Sequence, residues 1–126
     1  MTMDNTINVS AYLNTINTPW SQLFYKAVWH NLTYREKTIL DFGSGFGITA
    51  DHLAQNNTVT AIEPNTALIG HCVCNNNYRQ IVGSIEKLKE IPDNAYDVVV
   101  CHNVLEYMQD RVKLFDEFHR ILKEGG

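Results

Sequence analysis

Apolar positions along the chain follow two patterns, each typical of one kind of secondary structure. Short apolar runs bounded by turn residues predict strands, and longer stretches with apolar residues three or four apart predict helices. The predicted strands are Thr38–Phe42, Thr58–Ile62, Arg79–Val82 and Tyr96–Cys101. The predicted helices between and after them are Ile48–Asn56, Asn65 to about Cys74, and Arg111–Lys123. Strands that alternate with helices form right-handed βαβ units, so the pattern predicts an α/β fold with a parallel sheet covered on both faces.

The chain before the first strand divides into two parts. Residues 1–18 are polar, rich in asparagine and without a clear period, which predicts a flexible lead. Residues 19–33 carry apolar side chains densely enough for a helix that lies over the first strand. Its aromatic residues fit either a face packed on the core or a lid over a substrate: Trp20, Tyr25 and Trp29. The predicted division is a lead at 1–18 and one domain at 19–126, whose sheet-forming part is 38–126.

Composition and charge narrow the class of protein. The chain has 126 residues, the size of a single domain, and its 44% hydrophobic and 19% charged residues indicate a globular protein. The net charge is -4, and the lysines and arginines are scattered singly. A protein that binds duplex nucleic acid needs clustered basic residues to displace counterions from the phosphates. The charge pattern therefore predicts no nucleic-acid partner.

No segment of the sequence is typical of membrane insertion or export. The longest apolar stretch, Asp97–Cys101, is far shorter than the roughly 20 residues that span a bilayer. Residues 1–10 lack the basic region followed by an apolar one that marks an export signal. These features predict a cytoplasmic protein without a membrane partner. The three cysteines are then expected to be reduced, since Cys72 and Cys74 are too closely spaced for a bridge and lack a second ligand pair for a metal.

Candidate chemistry lies where the first two predicted strands end. In an open parallel sheet, ligands bind beyond the carboxyl ends of the strands. The first strand runs into a glycine turn, residues 41–47, in which small residues let a ligand approach the backbone. The second ends at Glu63, 22 residues after Asp41, close to the spacing of about 20 at which an acid holds the hydroxyls of a ribose. Together these features predict a nucleoside-binding site.

The charge of the turn decides which kind of nucleoside it favours. A dinucleotide-binding turn needs glycine at the sixth position counted from Gly43, where this chain has Ile48. The turn also opens with Asp41 and contains no lysine, so it would repel a phosphate. These residues favour a ligand that has a ribose, no phosphate, and a positive amino or sulfonium group.

Several segments, in this order, resemble motifs of the class I S-adenosylmethionine-dependent methyltransferases. The glycine turn 41–47 resembles their first motif, and residues 61–65 resemble the second strand with its ribose-binding acid. Residues 83–86 are similar to the adenine loop, 97–107 to the fourth strand and its exit, and 121–126 to the turn before a fifth strand. The resemblance implies a Rossmann-like three-layer sandwich with strand order 3-2-1-4. It also implies methyl transfer from S-adenosylmethionine, with S-adenosylhomocysteine as the product.

The resemblance assigns four residues to the methionine half of this cofactor. Asp41 would bind near the methionine amino group, directly or through water, and Gly43 and Gly45 would let that end lie against the backbone. Asn103, just past the fourth strand, would face the same half.

Four further residues are assigned to the nucleoside half in the same way. Glu63 would hold both ribose hydroxyls, and Pro64 would pack on the adenine. Ser84 and Ile85 would flank the adenine edge, with the Ile85 amide as a donor to the ring. Ser84 stands where the family usually has an acid, and an ordinary turn or helix-capping role is the alternative for it.

The end of the chain departs further from the family pattern. Family members continue with three more strands, so the resemblance predicts that the 126 residues are a truncated product or part of a longer protein. With the fourth strand at the edge, residues 96–101 would present unpaired backbone and an apolar surface. The chain is therefore expected to self-associate and, even when it binds cofactor, to have little or no activity alone.

The predicted activity is methyl transfer to a small-molecule acceptor whose identity the sequence does not give. An NAD-dependent oxidoreductase is an alternative that Ile48 argues against. A non-catalytic module that binds a nucleoside or a partner chain is a second alternative. His102 fits either a general base or an ordinary structural residue, and no base is assigned because transfer from a sulfonium needs positioning more than a protein nucleophile.

Overall fold

The computed structural model describes residues 9–72, 74–102 and 109–126. Over these ranges the helices and strands follow one another in the alternating order that the hydrophobic pattern predicts. In chain order they are α1 (Val9–Ile16), α2 (Pro19–His30), β1 (Thr38–Phe42), α3 (Ile48–Leu53), β2 (Thr58–Glu63), α4 (Thr66–Ile69), β3 (Arg79–Val82), a 3-10 helix (Ile85–Glu90), β4 (Val98–Cys101) and α5 (Arg111–Ile121).

The four strands form one parallel sheet in the order β3-β2-β1-β4. This confirms the predicted α/β class and the 3-2-1-4 order. Phe42 at the end of β1 lies opposite Ile62 of β2 and Cys101 of β4. The carboxyl ends of the three strands therefore meet at one edge of the sheet, which is where α/β proteins place their ligands.

Alternate side chains of each strand enter two separate cores, one on each face of the sheet. One core joins the sheet to α5 and the 3-10 helix through Leu40, Phe42, Ile62, Leu88, Tyr96, Leu114, Phe118 and Ile121. The other joins it to α3 through Ile39, Ala50, Leu53, Val59, Ala61 and Val100. Burial of one such aliphatic or aromatic side chain contributes about 1.5–3 kcal/mol. Because helices cover both faces of the sheet, the fold is a three-layer sandwich, as expected.

The N-terminal segment differs from its prediction. Residues 9–16, expected to be part of a flexible lead, form α1, and Ile16 is buried against Phe46 and Leu68. A helix of eight residues is marginal in water, so its order comes from this packing and not from its own periodicity. The expected flexibility of residues 1–8 lies outside the described residues.

Helix α2 is shorter than the predicted 19–33 and rests on α3 and the glycine turn. Its N-cap Thr18 accepts a hydrogen bond from the Ser21 amide at 3.3 Å, and Pro19 starts the helix. Trp29 stacks on His52 of α3 with ring centroids 4.0 Å apart. Trp20 is 81% exposed, so the aromatic residues of this helix do not all belong to one face packed on the core.

Helix α4 also stops earlier than predicted, at Ile69 instead of about Cys74. Asn65 caps it as expected, because its side chain accepts a hydrogen bond from the Ala67 amide at 3.0 Å. The chain beyond it is held elsewhere, since the amides of Asn75 and Asn76 both donate to Asp51 Oδ1 at 2.8 Å. These long-range bonds compete successfully with continuation of the helix.

The prediction that all three cysteines are reduced is wrong in this structure. Cys72 and Cys74 form a disulfide bond, with Cα atoms 5.6 Å apart. That separation is ordinary for a disulfide, so the close spacing of the two cysteines in the sequence does not prevent the bond. Cys101 is half-buried and packs beside the core that contains Phe42. Within the three described ranges, no helix is long and apolar enough to cross a membrane.

Candidate functional site

The site begins at the turn between β1 and α3, where three glycines adopt a left-handed backbone. The φ angles are +83° at Gly43, +55° at Gly45 and +79° at Gly47, a region that L side chains other than asparagine and aspartate rarely adopt. The amides of Gly43 and Ser44 donate to the Ile62 carbonyl at 2.8 and 3.1 Å. The turn is thereby held against the end of β2. A Cβ at Gly45 would meet nothing within 4 Å, so the turn faces open space at that residue.

Asp41 is a buried carboxylate near the start of this turn. It is 2% exposed, and its Oδ2 atom has no hydrogen-bond partner among the described residues. Burial, followed by the charge of Glu63, raises the pKa of Asp41 to about 7. A simple turn-capping role would have engaged this oxygen in a local hydrogen bond. Asp41 Oδ2 is therefore a buried acceptor that none of the described residues engages.

Glu63 lies at the end of β2 and connects the second strand to the glycine turn. Its Oε1 accepts a hydrogen bond from the Gly45 amide at 2.8 Å, and its Oε2 accepts one from the Asn65 amide at 2.8 Å. Burial raises its pKa although both amide hydrogen bonds act in the opposite direction. Each carboxylate oxygen can accept a further hydrogen bond, so Glu63 can hold the turn and still accept from two ligand hydroxyls.

The segment after β3 contributes a second orphan oxygen. Ser84 is 6% exposed, and its Oγ has no hydrogen-bond partner among the described residues. Ser84 precedes the 3-10 helix but its side chain does not cap it, while its own amide donates to Glu86 Oε1 at 2.9 Å. Ser84 therefore occupies the N-cap position of this helix, but its side chain makes no capping hydrogen bond. Ile85, half-buried, begins the helix and packs beside the core of Phe42.

The remaining predicted residues have different outcomes. Pro64 is half-buried directly after Glu63, at the same edge of the sheet. Asn103 lies outside the described residues. His102 itself directly follows β4 and is half-buried. Among the described residues, no group of three or more histidine, cysteine or acidic side chains could hold a metal ion.

Sequence reasoning missed two residues that support the turn from the strand β3 side. A Cβ at Gly47 would overlap the Tyr78 hydroxyl, so this side chain packs directly on the Gly47 backbone. Burial, then the charges of Asp51 and Asp41, raises the pKa of Tyr78. The side-chain Nε2 of Gln80 donates to Ser44 Oγ in the turn at 3.5 Å and to the Ala61 carbonyl at 3.3 Å. Neither residue has a local sequence signal, apart from the placement of polar Gln80 inside a short strand.

Comparison with known proteins places this geometry in a family. Residues 40–126 match the family model described as a methyltransferase domain, which is more than two thirds of the chain. The chain belongs to the methyltransferase domain family. The match begins at β1 and includes the glycine turn, Glu63 and Ser84, so the whole candidate site lies inside this methyltransferase domain.

Two curated proteins resemble the domain over about 100 residues. A thiol S-methyltransferase of Rattus norvegicus is 33% identical over 101 residues, which cover 75% of this chain and 41% of the relative. A ubiquinone biosynthesis O-methyltransferase of Pseudomonas paraeruginosa is 33% identical over 98 residues, covering 71% of this chain and 41% of the relative. The matched part therefore spans less than half the length of these relatives.

Solved structures share the fold. A protein of Methanococcus maripaludis described as an S-adenosyl-L-methionine-dependent methyltransferase superposes with a TM-score of 0.81 at 20% identity, covering 100% of this chain and 64% of that one. A methyltransferase from an antibiotic biosynthesis pathway of Anabaena variabilis superposes with a TM-score of 0.69 at 26% identity, covering 81% of this chain and 42% of its own. The first of these similarities includes α1 and α2 as well as the sheet.

Proposed function

We propose that this methyltransferase domain binds S-adenosylmethionine at the carboxyl edge of its sheet and directs the methyl group to a small-molecule acceptor. The bound molecule would supply a methyl group on a positively charged sulfur, which is already activated for displacement. The chain's own part is to bind, orient and exclude water, because an in-line displacement gains much of its rate from positioning.

The observation that carries this proposal is the pair of orphan oxygens in the site. Asp41 Oδ2 and Ser84 Oγ are the buried side-chain oxygens or nitrogens that lack a partner among the described residues. Buried polar atoms are normally satisfied, so a ligand with donors for both would complete the site. The amino group of the methionine half suits Asp41, and the adenine amine suits Ser84.

The other predicted residues fit the same ligand. Glu63 retains acceptor capacity for both ribose hydroxyls while it holds the Gly45 and Asn65 amides. Gly43 and Gly45 would leave room for the methionine end, and Pro64 would pack on the adenine. Ile85 would present its amide to the ring, since the first amides of a helix lack partners within the helix. Asn103 is kept as a predicted contact of the methionine half.

The acceptor is proposed to be a small molecule. The names of two relatives specify thiol sulfur and oxygen as acceptor atoms, and the dispersed positive charge of this chain does not favour a nucleic acid. Location in the cytoplasm and self-association through the edge of β4 stay predictions, for which cell fractionation and light scattering are the measurements.

Calorimetry with three ligands tests the proposal. We expect S-adenosylmethionine and S-adenosylhomocysteine to bind more tightly than NAD, because all three carry a ribose but only NAD brings a pyrophosphate next to Asp41. The matched control is Asp116→Asn, which removes an exposed carboxylate from α5 and should leave all three affinities unchanged. Tighter binding of NAD would favour the oxidoreductase alternative and overturn the proposal.

A further inference from the structure

Helix α2 carries an exposed apolar face beside the candidate cofactor site. Trp20 is 81% exposed, Leu23 is 60% exposed and Phe24 is 45% exposed. Their spacing of three and four residues puts them on one side of the helix. On another side, Tyr25 packs against the buried cluster of Ile16, Phe46 and Leu68, and Trp29 stacks on His52. The helix is therefore anchored by one side while the other stays open to solvent.

This exposed face reaches the end of β4. The Phe24 ring lies against the His102 imidazole, with centroids 5.3 Å apart and planes inclined by 31°. Cys101, which precedes His102, pairs with Phe42 of β1, so His102 follows β4 at the level of Gly43 in the glycine turn. The His102 side chain thus lies between the apolar face and the glycine turn.

An exposed apolar face with two aromatic side chains, next to an imidazole, favours a particular kind of ligand. Aromatic side chains favour flat aromatic ligands, which stack or meet them edge to face. Imidazole is the side chain that exchanges protons near neutral pH. A ligand that uses both has an aromatic body and one acidic hydrogen on oxygen or sulfur.

We propose that the methyl acceptor is a small aromatic molecule with a hydroxyl or thiol group, held against Trp20, Leu23 and Phe24 and deprotonated by His102. This inference rests on the proposed function for the identity of the methyl donor. The acceptor's oxygen or sulfur forms the new bond to the methyl carbon as the carbon–sulfur bond of the donor breaks. The electron pair of that bond neutralises the sulfonium, and the acceptor's proton moves to the imidazole.

The experiment uses 4-nitrophenol, whose phenolate absorbs visible light, as the acceptor probe. The complete 126-residue chain is first saturated with S-adenosylhomocysteine, and that binding is measured separately by calorimetry. The probe is then titrated while tryptophan fluorescence reports occupancy and visible absorbance reports the ionised fraction. Cyclohexanol, which lacks the ring, is the control ligand and should bind at least about threefold more weakly, given the usual worth of an aromatic pair.

Matched variants test the apolar face of α2 and the proton acceptor His102 separately. Phe24→Ala should weaken probe binding about three- to tenfold, the value of one aromatic pair. Phe115→Ala, which removes a half-exposed phenylalanine from α5, should leave it unchanged. His102→Gln should lower the ionised fraction of bound probe about tenfold, because a charge-assisted hydrogen bond is lost, while circular dichroism confirms that each variant is folded.

Several results would overturn the inference. Equal losses in Phe24→Ala and Phe115→Ala would show that the α2 face is not the acceptor wall, and unchanged ionisation in His102→Gln would remove its role. Light scattering that shows a dimer lost in Phe24→Ala, with no probe binding, would assign the face to a second copy of the chain. If S-adenosylhomocysteine does not bind, the proposed function fails, and the probe titration without it still decides the aromatic wall.

Discussion

At the scale of single residues, the buried carboxylate of Asp41 lowers the free energy of unfolding and is suited to bind a cationic ligand. Its pKa rises from 3.8 in a model compound to about 7 because of burial and then the charge of Glu63. Between these two pH values the folded state holds a proton that the unfolded state has released, so the free energy of unfolding falls as pH rises through this window. A site that binds a cation can tolerate this loss, because the ligand supplies the missing charge.

Asp41→Asn should therefore stabilise the ligand-free domain at pH 8 and weaken cofactor binding. The gain should approach about 4 kcal/mol at pH 8 and vanish near pH 4, since each pKa unit corresponds to 1.36 kcal/mol. Loss of a hydrogen bond to a charged group should cost S-adenosylhomocysteine about 1.5–3 kcal/mol of binding. Urea unfolding at both pH values and calorimetry measure the two effects. Equal stability of the variant and the parent at pH 8 would contradict the assignment of a buried, uncompensated charge.

Glu63→Gln tests the other acid of the pair. Its carboxylate accepts hydrogen bonds from two amides, and an amide side chain would turn a donor toward one of them. We expect a stability loss of about 1–3 kcal/mol for the unsatisfied donor, together with a loss of about 1.5–3 kcal/mol in cofactor binding. The exposed Glu124→Gln serves as the control. If the free energy of unfolding falls but the cofactor affinity of the folded protein is unchanged, Glu63 has a structural role only.

At the scale of elements, the glycine turn depends on a contact from a distant segment. Gly45→Ala should cost about 1–2 kcal/mol for its left-handed backbone alone, because its surroundings are open. Gly47→Ala should cost more, since its Cβ must displace the Tyr78 hydroxyl. When Tyr78→Phe is added to Gly47→Ala, the free energy of unfolding should rise by about 0.5–3 kcal/mol, the range for residues in contact. The same addition to Gly45→Ala should give no such gain. Urea unfolding of the set measures this, and equal recovery in both backgrounds would argue against the contact.

Contacts between distant segments, such as that of Tyr78 with Gly47, are the part of the structure that the sequence alone could not predict. The strands follow from hydrophobic runs, and the spacing of Asp41 and Glu63 is visible in the sequence, whereas the strand order was implied by the family resemblance. Helix α1 was missed because it depends on Ile16 packing against Phe46 and Leu68. Tyr78 supports the turn from 31 residues away in sequence, and no periodicity reports such a contact.

At the scale of the whole molecule, both edges of the sheet carry valines. β4 is one edge, and Val98, Val99 and Val100 line it without a protecting lysine or proline. We expect self-association that rises with protein concentration in light scattering. Val98→Lys should reduce it, whereas Val82→Lys on the opposite edge strand β3 should not. A monodisperse parent protein at high concentration would show that the β4 edge is not adhesive.

We propose that the two carboxylates at the end of the parallel sheet, Asp41 and Glu63, bind a cationic nucleoside. Calorimetric titration of S-adenosylmethionine at pH 7, in two buffers with different ionisation heats, tests it most directly. Because a group with a pKa of about 7 is half protonated there, binding should release up to about half a proton from Asp41. The Asp41→Asn variant should release fewer protons on binding, by that amount, and the Asp116→Asn variant should release as many as the parent. Binding with the same proton release in Asp41→Asn as in the parent, or no binding at all, would contradict the account.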